Sequence, residues 1–131
     1  MKENLIKNEY VEMWIENGIL FSKFQKSIEI DIEKMKLLIG LREEISNGLN
    51  QYWMYDIGNL KNVTKEARDY ADINGQNYLN AIAVIVSSHI TKFIFSTYIK
   101  LNKPLKPCLV FKDKVKALEW LLELKECSNK N

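Results

Sequence analysis

Apolar and polar residues alternate with a period of two in the segment YVEMWIENGILFSKFQ, near the beginning of the chain. Val11, Met13 and Ile15 are separated by Glu12 and Trp14, which is the pattern of a half-buried strand. Asn17-Gly18 follows, and this pair favours a two-residue type I′ turn because both central positions of that turn require positive φ. The pattern predicts a β-hairpin.

A period of 3.6 follows in DIEKMKLLIGLREEISNG and predicts the first helix. Asp31 is suited to cap its N-terminus, since a carboxylate can accept the N–H groups that the first turn leaves unpaired. Gly48 is suited to the left-handed position at which the helix ends. The apolar residues that fall close to one face are Ile32, Met35, Leu38, Ile39, Ile45 and Leu49.

The rest of the chain alternates between strand and helix patterns. QYWMYDIG, NAIAVIV and PCLVF are predicted strands, and the nearly continuous apolar run NAIAVIV is typical of a central strand buried on both faces. TKEARDYADING, SHITKFIFSTYIKLNKP and DKVKALEWLLELK are predicted helices, of which the second ends before Pro104. We expect the last helix to begin at Asp113 and to bury Val115, Leu118, Leu121 and Leu122.

The predicted element order is ββαβαβαβα. After the hairpin every strand is reached through a helix, and such crossovers produce parallel neighbours. The sequence therefore predicts an α/β fold: a mixed, mostly parallel five-stranded sheet with four helices and an antiparallel first strand. At 131 residues, residues 1–131 are expected to form a single domain.

Composition excludes several classes of protein. No apolar run reaches the roughly 18 to 20 residues that cross a bilayer, and the N-terminus lacks the apolar region of a signal peptide. The two cysteines, Cys108 and Cys127, are far apart, so we expect free thiols and a cytoplasmic location. One histidine cannot complete a typical zinc site with them, and the five glycines form no phosphate-binding loop. We expect no metal and no cofactor.

Charge is distributed unevenly along the chain. Residues 1–56 carry 7 basic and 10 acidic side chains, whereas residues 57–131 carry 12 basic and 7 acidic ones. Seven lysines lie between Lys92 and Lys116, and such a region can meet nucleic acid or anionic lipid. Because the pI of 8.4 is below the value of about 9 typical of nucleic-acid-binding domains, we interpret the region as a solvated surface and do not expect nucleic acid as a partner.

The element order, together with DIGNLKNVTKEARDYA at residues 56–71, resembles the STAS domain, the anti-sigma-factor-antagonist or SpoIIAA-like fold of bacteria. In that family a strand ends in Asp. About seven residues later the motif D-S-[ST]-G begins a helix, and the first serine of that motif is phosphorylated. The strand-terminal acid falls on Asp56, and the motif falls on Thr64, Lys65, Glu66 and Ala67. The resemblance implies a cytoplasmic regulatory or protein-interaction module.

The phosphoacceptor position of that motif is Lys65, which cannot form a stable hydroxyl ester. The resemblance therefore implies a module that has lost the phosphoacceptor serine. Thr64 is suited to cap the helix, and we interpret it as a cap and not as a phosphorylation switch. Asp56, Asn59 and Thr64 are retained as candidate residues at this helix mouth.

Polar residues also follow the central strand, as the cluster Ser87, Ser88 and His89. Ligands of open α/β sheets gather at the carboxyl ends of parallel strands, where Asp56 is also expected. Neighbouring Ser88 and His89 are nevertheless poorly placed to act as nucleophile and base, and no G-x-S-x-G motif surrounds them. We interpret Ser88 as a helix cap, and we predict no catalytic residue and no enzymatic activity.

The helix ITKFIFSTYIKL is apolar almost all round, although a helix on a sheet needs only one apolar stripe. Ile90, Phe93 and Ile94 are expected to share a stripe, with Phe95 and Tyr98 facing elsewhere. Two functions remain open, and we favour the first, with the second as the alternative. The first is an interaction module, which binds a protein partner or forms a homodimer and should have an exposed aromatic patch. The second is a carrier or sensor of lipid or another apolar ligand, which should have a pocket between sheet and helices. Residues expected at the interface or pocket are Phe93, Phe95, Tyr98, Trp53 and Trp120.

Overall fold

The computed structural model describes residues 2–129 of the chain. Its elements, in chain order, are β1 (Glu3–Lys7), β2 (Val11–Glu16), β3 (Ile19–Phe24), β4 (Ile28–Ile30), α1 (Ile32–Ser46), β5 (Gln51–Asp56), β6 (Leu60–Val63), α2 (Lys65–Asn74), β7 (Leu79–Ile85), α3 (His89–Asn102), β8 (Cys108–Phe111) and α4 (Lys114–Asn129).

The main sheet has six strands in the order β1-β2-β3-β5-β7-β8. Strands β3, β5, β7 and β8 run parallel to one another, whereas β2 is antiparallel to both β1 and β3. The predicted α/β fold, with four helices, a mostly parallel sheet and an antiparallel β2, is confirmed. The central position of β7, between β5 and β8, also agrees with its apolar sequence.

The predicted strand count was wrong. The five predicted strands are present, but β1 adds an edge strand, and β4 and β6 form a separate two-stranded parallel sheet. Strand β1 is mostly exposed and contains charged residues, so no alternation marks it in the sequence. Strands β4 and β6 have three and four residues, too few to display a period.

The predicted turn and caps agree with the structure. Asn17 and Gly18 have φ values of 53° and 76°, as the type I′ turn of the hairpin requires. The N-caps accept hydrogen bonds as expected: Asp31 from the Lys34 amide at 2.9 Å and Ser88 from the Thr91 amide at 3.1 Å. These local signals fix where α1 and α3 begin.

Helix α4 packs against one face of the main sheet. Ala117 and Leu121 are fully buried there against Ile19, Met54 and other residues of the sheet. The predicted burial of Val115 and Leu122 was wrong, because they are 66% and 40% exposed. Leu49, which was assigned to the apolar face of α1, is likewise exposed and lies beyond the end of that helix.

Helices α1, α2 and α3 belong to the other face of the sheet, where a second core contains Leu20, Phe24 and Val84. Helix α1 contributes Met35, Leu38, Ile39 and Ile45 to this core, as predicted. Helix α3 is different, since none of its residues is fully buried and only Phe95 and Ile99 pack against this core. The predicted stripe was therefore wrong: Ile90 and Phe93 point outwards and are 75% and 73% exposed.

Candidate functional site: an apolar cavity beside α3

A cavity of about 570 Å³ lies on the α1–α3 face of the main sheet. Side chains from the sheet and from all three helices line it, and most of them are apolar. We call it the main cavity. Its apolar and aromatic lining residues include Met13, Phe24, Met35, Leu38, Ile39, Trp53, Tyr55, Ile57, Ile82, Val84, Ile94, Phe95, Tyr98, Ile99 and Cys108.

Two aromatic side chains of β5 form part of the cavity wall. Successive residues of a strand point to opposite faces, so Trp53 and Tyr55 share one face, and their rings stack with centroids 4.3 Å apart. The Trp53 indole N–H donates to the Ser22 hydroxyl at 2.9 Å, which fixes the ring. Burial raises the pKa of Tyr55 to about 12. Tyr55 is therefore a neutral phenol at physiological pH.

Helix α3 covers the cavity through Ile94, Phe95, Tyr98 and Ile99. The Tyr98 hydroxyl donates to both carboxylate oxygens of Asp72, at 3.0 and 2.9 Å, and so joins α3 to α2. Burial and the adjacent Asp72 carboxylate raise the pKa of Tyr98. Apart from this exposed link, Phe95 and Ile99 are the residues of α3 that pack against the core, so the helix buries little apolar surface.

Arg42 of α1 is the most unusual residue of the cavity lining. It is only 1% exposed, and its Nη2 donates to the backbone carbonyl of Gly75 at 3.0 Å. Its Nε and Nη1 atoms are buried without a hydrogen-bond partner among the described residues. The guanidinium carbon lies 5.1 Å from the centroid of the Trp53 ring. Burial lowers the pKa of Arg42, although a guanidinium stays charged at physiological pH.

Sequence reasoning missed Arg42, but the sequence does contain a signal for it. Arg42 follows Leu38 by four residues and precedes Ile45 by three, so it falls on the apolar stripe of α1. A single arginine in such a stripe indicates either a buried polar contact or a site that faces a cavity. The structure shows both.

Other charged groups lie around the cavity. Lys23, Lys61 and Arg68 line it together with Arg42, and Asp72 is the acidic residue of the lining. Cys108 of β8 also lines it, and burial raises the pKa of this thiol to about 11. The wall thus combines a large apolar area with an excess of positive charge.

The structure brings together three of the five residues predicted at the interface or pocket. Trp53, Phe95 and Tyr98 line the main cavity. Phe93 points away from it, into solvent. Trp120 lies on the opposite face of the sheet, where its ring is 5.8 Å from that of Phe111, so it does not border the cavity.

The residues predicted at the helix mouth are divided between two places. Asp56 and Asn59 line a smaller recess, of about 380 Å³, at the carboxyl ends of the strands. Asp56 accepts a hydrogen bond from the Gly58 amide at 2.9 Å and forms an ion pair with Lys114 at 3.2 Å. The Asn59 side-chain amide donates to the Phe24 carbonyl at 2.8 Å.

Thr64 lies outside that recess because β6 intervenes between it and Asp56. Its backbone N–H donates to the Ile30 carbonyl at 3.0 Å, beside the small sheet. Its hydroxyl accepts from the Ala67 amide at 3.2 Å, which makes it the N-cap of α2. Lys65 pairs with Asp69 on the exposed side of the helix.

The strand-end cluster is also dispersed. Ser87 lines the recess, and its hydroxyl lies 3.5 Å from the Gly58 carbonyl. Ser88 caps α3, and His89 is the exposed first residue of that helix. Within residues 2–129, no hydrogen bond joins the side chains of Asp56, Ser87 and His89 in the manner of a triad. Nor does that part of the chain contain a group of three acidic, histidine or cysteine side chains that could hold a metal ion.

The fold is similar to that of a solved structure. The structure of an uncharacterised protein of the DUF3478 family from Shewanella loihica PV-4, which has a SpoIIAA-like fold, is similar over 88% of this chain and 97% of that one, with a TM-score of 0.67 and 16% identity. This chain therefore has a SpoIIAA-like, or STAS, fold, as the sequence predicted.

The family follows from the sequence itself. Residues 13–125 match the family described as "Domain of unknown function (DUF7793)", and the chain belongs to that family. The search of curated proteins found no match. Among the described residues, no helix combines the length and the apolar character needed to span a bilayer.

Proposed function

We propose that this chain is a non-enzymatic binding module that carries or senses a small apolar ligand in the main cavity. The observation that supports the proposal is the cavity itself, with its apolar wall and its volume of about 570 Å³. Ligand sites in proteins are typically concave, mostly apolar and about 300 to 1,000 Å³ in volume, with a few polar groups that orient the ligand.

Helix α3 supplies a route by which a ligand can enter. It has no fully buried residue, so moving it away from the sheet exposes little additional apolar surface. Segments with few buried contacts open at low free-energy cost. The Tyr98–Asp72 contact is exposed to water, and such a contact contributes little to the stability of the closed state.

A direct test uses N-phenyl-1-naphthylamine, a neutral apolar dye that fluoresces in dry environments. We expect saturable binding by the wild-type protein. Phe95→Asp should weaken binding at least tenfold, because it removes an aromatic ring from the cavity wall and places a strongly hydrated carboxylate where the apolar dye would lie.

Phe93→Asp is the matched control, since it makes the same substitution on the same helix at a position that is 73% exposed. We expect it to leave dye binding within twofold of wild type. Dye binding that does not saturate, or that Phe93→Asp abolishes while Phe95→Asp does not, would contradict the proposal.

The second candidate function is a protein-interaction module, as the STAS resemblance implies. The observation that favours it is the outer face of α3, where Ile90, Phe93 and Leu101 are 75%, 73% and 78% exposed. Exposed apolar patches of this kind mark interaction sites. Phe93→Asp also tests this function: if the protein is a homodimer, the substitution should produce a monomer in analytical ultracentrifugation.

A further inference from the structure

We infer that the ligand of the main cavity is an amphipathic carboxylic acid whose carboxylate binds Arg42 and whose apolar body lies against Trp53 and Phe95. The inference rests on the proposed function and adds to it the chemical class of the ligand. The observation that carries it is a buried guanidinium, unpaired at two of its nitrogens, in the wall of an apolar cavity.

A buried unpaired charge is costly. Removing a cation from water costs several kcal/mol, and native proteins normally offset that cost with an opposite charge or a full set of hydrogen bonds. Among the described residues, Arg42 forms one hydrogen bond, to the Gly75 carbonyl, and no ion pair, although the charge of the neighbouring Glu43 favours its protonated form. An anion in the cavity would supply an ion pair and further hydrogen bonds.

The bond to Gly75 does not account for the arginine. It joins α1 to the end of α2 and uses one of the five N–H donors of the guanidinium. A neutral glutamine amide could donate such a bond without burying a charge. Arginine is the residue that binds a carboxylate through two nitrogens at once, and such charge-assisted pairs are about twice as strong as neutral hydrogen bonds.

The remaining charges of the wall favour an anion as well. Lys23, Lys61 and Arg68 are cationic, and the two carboxylate oxygens of Asp72, the one acid of the lining among the described residues, already share the hydroxyl proton of Tyr98. A ligand with a negative head group therefore meets a complementary field. A cationic ligand would be repelled by Arg42, whose guanidinium already lies over the Trp53 ring.

The apolar wall indicates the rest of the ligand. Trp53, Phe95 and the neighbouring aliphatic side chains carry no charge, so this part of the wall suits an apolar tail. An acid with a single apolar tail therefore satisfies both parts of the cavity. Each methylene of the tail that becomes buried should tighten binding about fourfold.

The test compares dodecanoate with dodecanol as competitors of N-phenyl-1-naphthylamine, both below the concentrations at which they aggregate. The tails are identical, so the difference between the two inhibition constants reports on the head group. We expect dodecanoate to bind wild-type protein roughly 10- to 100-fold more tightly than dodecanol, the range expected for hydrogen bonds to a charged group.

Arg42→Met should remove this preference and leave dodecanol binding intact. The variant should fold, because replacing a buried ion by an apolar residue of similar shape is often neutral or stabilising; a urea unfolding curve checks this. Arg42→Lys should keep part of the preference. Lys36→Met is the control, since it removes one positive charge from the exposed side of the same helix and should retain the wild-type preference.

The possible results are distinguishable. Equal binding of acid and alcohol by wild type, or a preference that persists in Arg42→Met, would overturn this inference and leave the proposed function standing. If Arg42→Met does not fold, Arg42→Lys serves as the test. A preference for dodecanoate as strong as that of wild type would then overturn the inference that the carboxylate binds two nitrogens of Arg42. Failure of both competitors to displace the dye would contradict the proposed function itself.

Discussion

At the scale of single residues, the site depends on groups that only the folded chain brings together. Arg42 and Gly75 are 33 positions apart, and Trp53 and Ser22 are 31 apart. Sequence patterns identified Trp53, Phe95 and Tyr98 as candidates because they are aromatic. The apolar stripe of α1 marks Arg42 as an unusual residue, but the pattern cannot show that two of its nitrogens lack a hydrogen-bond partner. That property belongs to the packed interior.

Cys108 provides a prediction at this scale. In a Cys127→Ser background, its alkylation by iodoacetamide should increase about tenfold per pH unit from pH 8 to 10, because the reactive species is the thiolate and the pKa of Cys108 is raised to about 11. When the same protein is unfolded in urea, its alkylation rate should stop increasing near pH 9. Saturation with dodecanoate should slow the folded reaction further, since Cys108 lines the main cavity. A folded rate that levels off near pH 9 would show an exposed, unperturbed thiol.

At the scale of elements, the four helices follow from period, caps and turns, and so do strands β2, β3, β5, β7 and β8 of the main sheet. The missed strands are short or mostly exposed, and they form only because neighbouring backbone is available to pair with. The sequence also could not predict which side of α3 faces outwards. Because that helix is apolar on several sides, its rotation is set by Tyr98, Phe95 and Ile99 and not by an amphipathic pattern.

Thr64 tests the interpretation of the helix mouth. Thr64→Ala should lower the free energy of unfolding by about 1 kcal/mol, because the Ala67 amide loses its acceptor. Thr64→Ser and Thr64→Asp keep an acceptor and should remain within about 0.5 kcal/mol of wild type in urea unfolding. None of the three should change dye binding, since Thr64 does not line the main cavity.

A phosphorylation switch would give a different outcome. If Thr64 were the regulated residue, Thr64→Asp would alter ligand or partner binding, whereas Thr64→Ser would not. A shift in dye affinity confined to the aspartate variant would contradict the assignment of Thr64 as a structural cap.

At the scale of the whole molecule, the two faces of the main sheet differ. On one, Ala117 and Leu121 of α4 are fully buried against β5 and β7. On the other, α3 lies beside a cavity and exposes Ile90, Phe93 and Leu101. The sequence predicted helices on the faces of the sheet and favoured an interaction module, with ligand binding as the alternative. The unequal packing favours the ligand-binding function, because a closed core on this face would leave no room for a ligand.

The most direct test of that account is an NMR measurement of the complex with carbon-13-labelled dodecanoate. We predict intermolecular nuclear Overhauser effects from the tail methylenes to the Phe95 and Trp53 rings and to the Ile99 methyl groups, with none to Phe93 or Ile90. Contacts to Phe93 and Ile90 instead, or no contacts at saturating acid, would contradict a ligand site beneath α3.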